Sequence, residues 1–482
     1  MLFNSLSFLV FFPVVTGLYF LLPQRYRWLL LLLASCYFYM AFVPVYILIL
    51  GFTIVIDYFA GISIEKAQGA TRKLFLVASI IANVGVLAVF KYYNFIDENL
   101  ALLLHGMKAH PPVPYLDILL PIGLSFHTFQ AMSYTIEVYR GHQKAERHFG
   151  IYALYVMFFP QLVAGPIERP QHMLPQFREK HVFDYTRVVE GLRLMLWGFF
   201  KKIVIADRLA VYVGEVYDHP GTYHGFTVLL ATYFFAFQVF CDFSAYSDIA
   251  VGSARVLGFD LTQNFNLPYF SRSFREFWSR WHISLSSWVR DYLYIPLGGN
   301  RVPQWRRLLN VLIVFSICGL WHGAKWTMVV WGTLHGFYIV CEMIAEKAGW
   351  LAKLPKTKFF RFLQWGIWFH FYILSLVIFR SANMHDVGVM LKSLFHFVRG
   401  KSFFGLPLGY GMPLYDKLEI LLSFALIGLL FWINWQERKK KIELLLQPMR
   451  PVSRWLVYYA VVMLIVLLGN YSNRMDFIYF QF

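Results

Sequence analysis

Residues 308–341 read LLNVLIVFSICGLWHGAKWTMVVWGTLHGFYIVC. Two apolar runs, 308–320 and 326–341, meet at a short bridge in which Gly323 follows His322 directly. Together they cover about the length of two membrane spans, because one span takes roughly 20 residues. An ionisable side chain at membrane depth is costly and is a functional candidate by default. The segment therefore predicts a membrane protein with His322 as its first candidate functional residue.

The composition of the whole chain agrees with this interpretation. Of 482 residues, 58% are hydrophobic and 15% are charged, whereas about a quarter of the residues in soluble domains are charged. Apolar runs recur from end to end, so we expect an all-α polytopic membrane protein of about eleven to thirteen spans, short and broken ones included. We expect one transmembrane domain over residues 1–482. The first run, 2–22, lacks a basic start and a clear cleavage site, which indicates a retained span.

The net charge of +17 has a different meaning in a membrane protein than in a soluble one. Basic cytoplasmic loops account for such an excess in polytopic proteins, and a polyanionic substrate could add to it. We therefore predict contact with membrane lipid and no nucleic-acid partner. The four cysteines have no metal-ligand spacing, so we expect buried thiols and no metal site.

Residues 262–307 differ from the spans around them. The stretch 273–292 predicts one amphipathic helix, because apolar side chains recur every three or four residues. These are Phe274, Phe277, Trp281, Leu285, Trp288 and Tyr292, while Arg275, Ser279, His282, Ser286 and Arg290 follow the same spacing on another face. The helix either lies flat at the membrane interface or re-enters the membrane and lines a cavity. In the second case, His282 would point into the same cavity as His322.

Two carboxylates lie in another apolar stretch, CDFSAYSD at 241–248. Carboxylates at membrane depth are usually paired or functional. Pairing of Asp242 and Asp248 with Arg255 or with the basic helix is the simpler account. His335, His127 and His370 also lie in apolar surroundings.

A pair of buried histidines suits acyl transfer. A poorly solvated imidazole stays neutral and can accept a proton from a hydroxyl, or can itself accept an acyl group. A second imidazole could donate a hydrogen bond to the oxyanion that develops. Arg272, Arg275, Arg280 and Arg290 could hold the phosphates of an acyl donor.

These motifs resemble the membrane-bound O-acyltransferase family. The similar blocks are WHISL at 281–285, WVRDYLYIPLGGNR at 288–301, LWHG at 320–323, FFPQLVAGPI at 158–167, DFSAYSD at 242–248 and FIYFQF at 477–482. The resemblance covers essentially the whole chain. It implies that His322 is the principal catalytic residue and His282 its partner, and leaves the role of His335 open.

The resemblance also implies a fold and an activity. The fold would be a bundle of helices and re-entrant segments around a through-membrane tunnel, in a bacterial inner membrane. The activity would pass an acetyl group from cytoplasmic acetyl-CoA, a donor and not a resident cofactor, to an extracytoplasmic polysaccharide such as alginate. An esterase-like extracytoplasmic partner with a Ser-His-Asp site would complete the transfer. Alternatives are O-acetylation of peptidoglycan or cellulose, D-alanyl transfer to teichoic acid, and a transporter or scaffold without enzymatic activity.

Overall fold

The computed structural model describes residues 1–106, 121–396, 417–471 and 477–478. All regular elements in these ranges are helices, which confirms the all-α prediction. The last four residues of the C-terminal motif, 479–482, lie outside the described residues.

Twenty α-helices follow one another along the described residues. They are α1 (Leu6–Leu21), α2 (Gln24–Met40), α3 (Tyr46–Lys66), α4 (Gly69–Leu87), α5 (Tyr93–Gly106), α6 (Leu124–Arg140), α7 (Phe149–Met157), α8 (Pro170–Gln176), α9 (Tyr185–Phe200), α10 (Asp207–Tyr217), α11 (Phe226–Leu257), α12 (Phe274–Trp278), α13 (Ile283–Val289), α14 (Gln304–His322), α15 (Trp326–Lys347), α16 (Lys358–Arg380), α17 (Met384–Phe395), α18 (Lys417–Glu437), α19 (Ile442–Leu445) and α20 (Pro451–Leu468). Short π-helices occur at Ala88–Tyr92, Lys201–Ala206 and Arg290–Tyr294, and 3-10 turns at Pro268–Phe270 and Leu351–Lys353.

Seven of the described helical segments are long and apolar enough to cross a membrane. They are Tyr46–Lys66, Gly69–Leu104, Phe226–Leu257, Trp326–Lys347, Lys358–Arg380, Lys417–Glu437 and Pro451–Leu468. The sequence count of about eleven to thirteen also admits shorter helices. One of these is α1, an apolar helix of 16 residues. The protein is thus a multi-pass membrane protein.

The chain divides into two compact units, each with its own set of contacts. The first comprises residues Met1–Met195 and Ile249–Thr262, and the second comprises Leu196–Asp248 and Gln263–Phe482. Both predicted catalytic histidines belong to the second unit. The single domain expected over 1–482 stays a prediction.

A polar cluster joins three helices within the first unit. Asp57 on α3 accepts hydrogen bonds from Ser79 Oγ at 2.6 Å and from Asn83 Nδ2 at 2.8 Å, both on α4. Ser79 Oγ also bonds Thr135 Oγ1 of α6 at 3.0 Å. All four side chains are buried, so these bonds satisfy polar groups that water does not reach.

In the second unit, α14 and α15 form a tightly packed pair that holds His322. Two glycines allow the close approach: a Cβ at Gly319 would collide with the backbone oxygen of Met328, and one at Gly332 with that of Phe315. Because backbone atoms cannot rotate away, the two helices must separate if either glycine gains a side chain. His322, the last residue of α14, is therefore held at a fixed distance from α15.

We expect Gly319→Ala to destabilise the protein by about 1–3 kcal/mol, the usual cost of overpacking. The measurement is the thermal unfolding midpoint of the purified protein in detergent. Gly366→Ala on α16 is the control, since its new Cβ would meet no described atom within 4 Å and alanine favours a helix over glycine. An equal midpoint in both variants would contradict the role of Gly319 in packing.

The prediction of one continuous helix over 273–292 is wrong. The chain forms α12, turns at Ser279–His282, and continues as α13 and the π-helix. His282 has φ +44°, in the left-handed region, which ends any α-helix passing through it. The residues of the predicted apolar face, Phe274, Phe277, Trp281, Leu285, Trp288 and Tyr292, are nevertheless all buried.

A neighbouring loop explains the break. The Asn264 carbonyl accepts the backbone N–H of Ile283 at 3.0 Å, and its side-chain oxygen accepts Ser284 Oγ at 2.6 Å. The N–H of Asn266 donates to the Arg280 carbonyl at 2.9 Å. These bonds satisfy backbone groups that a continuous helix would have satisfied internally, so tertiary contacts override the helical periodicity.

Candidate active site

His322 lies at the C-terminal end of α14 in an aromatic enclosure. Its side chain is buried, and its ring contacts those of Trp321, Trp331 and Phe379 at centroid distances of 5.0, 5.4 and 6.1 Å. Trp331 comes from α15 and Phe379 from α16, so three helices fix its surroundings. Few rotamers fit such an enclosure, which favours a single orientation of the imidazole.

His282 reaches the same region from the turn between α12 and α13. It is fully buried and packs edge-on against Phe243 of α11, with centroids 4.6 Å apart. Its ring lies 6.1 Å from that of Trp321, and the Trp321 ring also contacts His322 at 5.0 Å. The structure therefore brings together the two histidines that the sequence singled out.

The backbone of His282 adds a further sign of function. A left-handed conformation in a residue with a Cβ costs about 1–3 kcal/mol and persists only where the surroundings enforce it. Such strain clusters at active sites. Here the strained residue carries one of the two candidate histidines.

The other candidate histidines are placed differently. His335 of α15 is fully buried in the same unit and bonds Trp278 Nε1 and Ser375 Oγ, at 3.3 and 3.0 Å. His127 is buried on α6 of the first unit. His370 is exposed on α16.

A cavity of about 520 Å³ opens beside the histidine site, between α12, α13, α14 and α15. It is mainly apolar, and Trp278, Leu285 and Cys318 form part of its wall. Cys318 precedes His322 by four residues on α14, which is about 6 Å along a helix and on the same face. The polar side chains that line it are Arg275, Arg290, Arg307, Glu346, Ser279, Ser286, Tyr294 and Asn300.

Two of the four predicted phosphate-binding arginines line this cavity. Arg275 pairs with Glu346 at 2.7 Å and Arg290 with Asp291 at 2.8 Å; both guanidinium groups are half-exposed or more. Arg272 and Arg280 lie off this cavity and pair with Glu276, at 3.7 and 2.9 Å. Arg272 instead lines a neighbouring cavity of about 650 Å³. The role predicted for all four stays a prediction.

Sequence reasoning missed Arg307. It lies in the first turn of α14 and lines the cavity, and its Nε is buried with no hydrogen-bond partner among the described residues. Burial raises the pKa of the Tyr294 phenol on the same wall, and the charge of Arg307 opposes that rise. The sequence could have indicated Arg307, because the adjacent pair Arg306-Arg307 stands directly before the apolar run 308–320.

The carboxylates of α11 are paired, but their partners were predicted wrongly. Lys202 Nζ lies 2.6 Å from Asp242 and 2.8 Å from Asp207, and Lys201 Nζ lies 2.7 Å from Asp248. Both lysines belong to the π-helix Lys201–Ala206, whose wider turn carries them side by side into the core. The N–H of Ile478 donates to the second oxygen of Asp242 at 2.7 Å.

The cysteine prediction holds for two of four residues. Cys241 and Cys318 are buried, Cys36 is partly exposed and Cys341 is exposed. A thiol on a membrane-facing helix needs no burial in protein, since lipid is equally apolar.

Comparison with known proteins adds to this geometry. The model of the membrane-bound O-acyltransferase family matches residues 139–385 of the 482, just over half of the chain, including both site histidines. The chain belongs to the membrane-bound O-acyltransferase family. The protein is therefore a membrane-embedded O-acyltransferase.

Three similar proteins carry names that give three different acceptors. The probable alginate O-acetylase AlgI of Azotobacter vinelandii is 39% identical over 403 residues, 82% of this chain and 78% of the relative. The peptidoglycan O-acetyltransferase of Helicobacter pylori is 35% identical over 82% of this chain and 80% of its own length. The teichoic acid D-alanyltransferase of Bacillus subtilis is 26% identical over 66% and 80%.

Proposed function

We propose that this O-acyltransferase takes an acetyl group from acetyl-CoA at the cytoplasmic face of a bacterial inner membrane and delivers it to a polysaccharide on the opposite side. One observation carries the proposal: two buried histidines contact the same indole, Trp321, near a mainly apolar cavity whose charged lining is three arginines and Glu346. A donor with an anionic head and a small apolar acyl group matches the presence of both arginines and apolar side chains in that lining.

The reaction moves one proton and replaces the carbon–sulfur bond of the thioester by a carbon–oxygen bond to the acceptor. In the first route, the imidazole of His322 accepts the proton of an acceptor hydroxyl while the oxygen attacks the thioester carbonyl carbon. The carbon–sulfur bond breaks, and the departing thiolate takes the proton. The imidazole of His282 would donate a hydrogen bond to the oxyanion.

A second route uses His322 as a transient acyl carrier. Its unprotonated ring nitrogen attacks the carbonyl carbon, the carbon–sulfur bond breaks, and the CoA thiolate takes the proton of the other ring nitrogen. The acceptor hydroxyl oxygen then takes the acetyl group, and the hydroxyl proton returns to the imidazole. Both routes require His322 to have an unprotonated ring nitrogen.

Arg307 provides a test of where the donor binds. Arg307→Ala should raise the KM for acetyl-CoA by about tenfold or more, because a charge-assisted hydrogen bond contributes about 1.5–3 kcal/mol. The turnover number should change little, since the contact is equal in the ground and transition states. Arg306→Ala is the matched control, because Arg306 is exposed. Equal KM values in both variants would rule out phosphate binding by Arg307.

For the acceptor, we propose alginate or a similar exopolysaccharide. Support comes from the 39% identity to the probable alginate O-acetylase of Azotobacter vinelandii over 82% of this chain. An extracytoplasmic partner with a Ser-His-Asp site would take the acetyl group at the outer end of a tunnel. Peptidoglycan is the second candidate, favoured by the Helicobacter pylori relative.

Polymer analysis in a deletion strain separates the two acceptors. O-acetyl esters are measured on purified exopolysaccharide and on peptidoglycan, with the wild-type gene or His322→Ala restored. We expect esters to disappear from the exopolysaccharide alone and to return with the wild type only. Loss from peptidoglycan alone would replace the first acceptor by the second.

A further inference from the structure

Two indole rings link the cavity to His322. Trp278 of α12 lines the cavity and contacts Trp331 of α15, with ring centroids 5.9 Å apart. Trp331 in turn contacts His322 at 5.4 Å. Trp278 is thus the part of the cavity lining from which a series of ring contacts leads to His322.

Two hydrogen bonds fix the orientation of Trp278. Its Nε1–H donates to His335 Nδ1 at 3.3 Å, and His335 Nε2 bonds Ser375 Oγ at 3.0 Å. An indole N–H can only donate, so Nδ1 must carry a lone pair and the proton of a neutral imidazole must sit on Nε2. Ser375 Oγ accepts the hydrogen bond from this Nε2–H, and its own hydroxyl donates a hydrogen bond to the Tyr372 carbonyl oxygen at 2.6 Å.

Each of these three hydrogen bonds therefore has a fixed donor and a fixed acceptor. Both nitrogens of His335 are occupied in holding Trp278, and both the histidine and the serine are fully buried. His335 is therefore a positioning residue, and its task is to keep the indole in one orientation against the cavity.

We propose that Trp278, held by His335 and Ser375, limits the length of the acyl group that the cavity accepts, so that the enzyme selects acetyl over longer acyl thioesters. The inference rests on the proposed function, because it takes the cavity as the acyl-donor site. A bulky side chain held in one orientation in the wall of a mainly apolar cavity, on the side from which ring contacts lead to His322, excludes additional methylene groups by steric overlap, and each excluded methylene costs affinity.

The test compares acyl donors within one protein sample. Release of CoA thiol is measured with acetyl-CoA and butyryl-CoA for the wild type and for Trp278→Leu, and the ratio of the two kcat/KM values is taken. We expect that ratio, butyryl over acetyl, to rise about tenfold in the variant, since two buried methylenes contribute roughly that factor. Partial misfolding lowers both rates equally and leaves the ratio unchanged.

Further variants separate specificity from structural damage. His335→Leu, which loses the acceptor for the indole, should raise the ratio in the same direction. His335→Asn, whose side-chain oxygen can replace Nδ1 as acceptor, should restore the wild-type ratio. In the Trp278→Leu background, His335→Leu should add nothing, because the group it positions is gone. Trp305→Leu, at an exposed tryptophan of α14, should leave the ratio at the wild-type value.

The outcomes separate a failure of this inference from a failure of the proposed function on which it rests. An unchanged ratio in Trp278→Leu, with acetyl activity in the wild type, overturns the inference alone. Should Trp278→Leu not fold, Trp278→Phe serves instead with an expected rise of about threefold, from the smaller volume removed, and an unchanged ratio there also overturns it. No thiol release by the wild type from either donor overturns the proposed function itself.

Discussion

Replacing His322 by alanine is expected to abolish the release of CoA thiol from acetyl-CoA while leaving the protein folded. The alanine variant loses the group that accepts the proton or the acyl group. General-base catalysis alone contributes about a hundredfold to ten-thousandfold, so we expect at least a hundredfold loss of turnover. The measurement is thiol release by purified protein, with and without a candidate polysaccharide or partner.

His370→Ala is the matched control for this experiment. This variant makes the same substitution at an exposed position of α16 and should keep full activity. Acetylation retained by His322→Ala at equal expression would remove His322 from the mechanism and favour a scaffold role. No release by the wild type in any combination would point first to another acyl donor, and then to a transporter.

The second large effect is expected at Lys202, where Lys202→Met should destabilise the protein by about 3–5 kcal/mol. Its ammonium lies within 2.8 Å of both Asp207 and Asp242, and all three side chains are buried. Without it, two buried carboxylates repel each other with no cation between them. We expect most of the variant to be lost from the monodisperse fraction in detergent after mild heating.

The cost should come from the carboxylates that remain and not from the lost side chain itself. Adding Asp207→Asn and Asp242→Asn to Lys202→Met should therefore recover most of the lost stability, because neutral amides need no counter-ion. Lys356→Met, at an exposed lysine, is the control and should behave as the wild type. A triple variant no more stable than Lys202→Met would mean that packing, and not charge balance, sets the stability there.

The sequence alone determined the fold class and predicted the principal residues of the candidate site. Apolar runs near the length of a span predict membrane helices, since lipid leaves the backbone no other way to satisfy its hydrogen bonds. The same logic marks His322, because a titratable group in an apolar segment is costly enough to need a reason, whereas His282 was marked by its helical spacing on the polar face of residues 273–292 and by the family resemblance. The spacing of the apolar residues over 274–292 likewise predicted which side chains are buried.

Only the tertiary structure decided how these residues meet. Helical periodicity cannot show that Asn264 satisfies the backbone at Ile283 and Ser284 and so ends α12 before His282. Nor could local pattern predict that Lys202, and not Arg255, is the partner of Asp242. Ion pairs and cavity walls join residues far apart in the chain, and their free energy depends on distance and burial, which one-dimensional spacing does not contain.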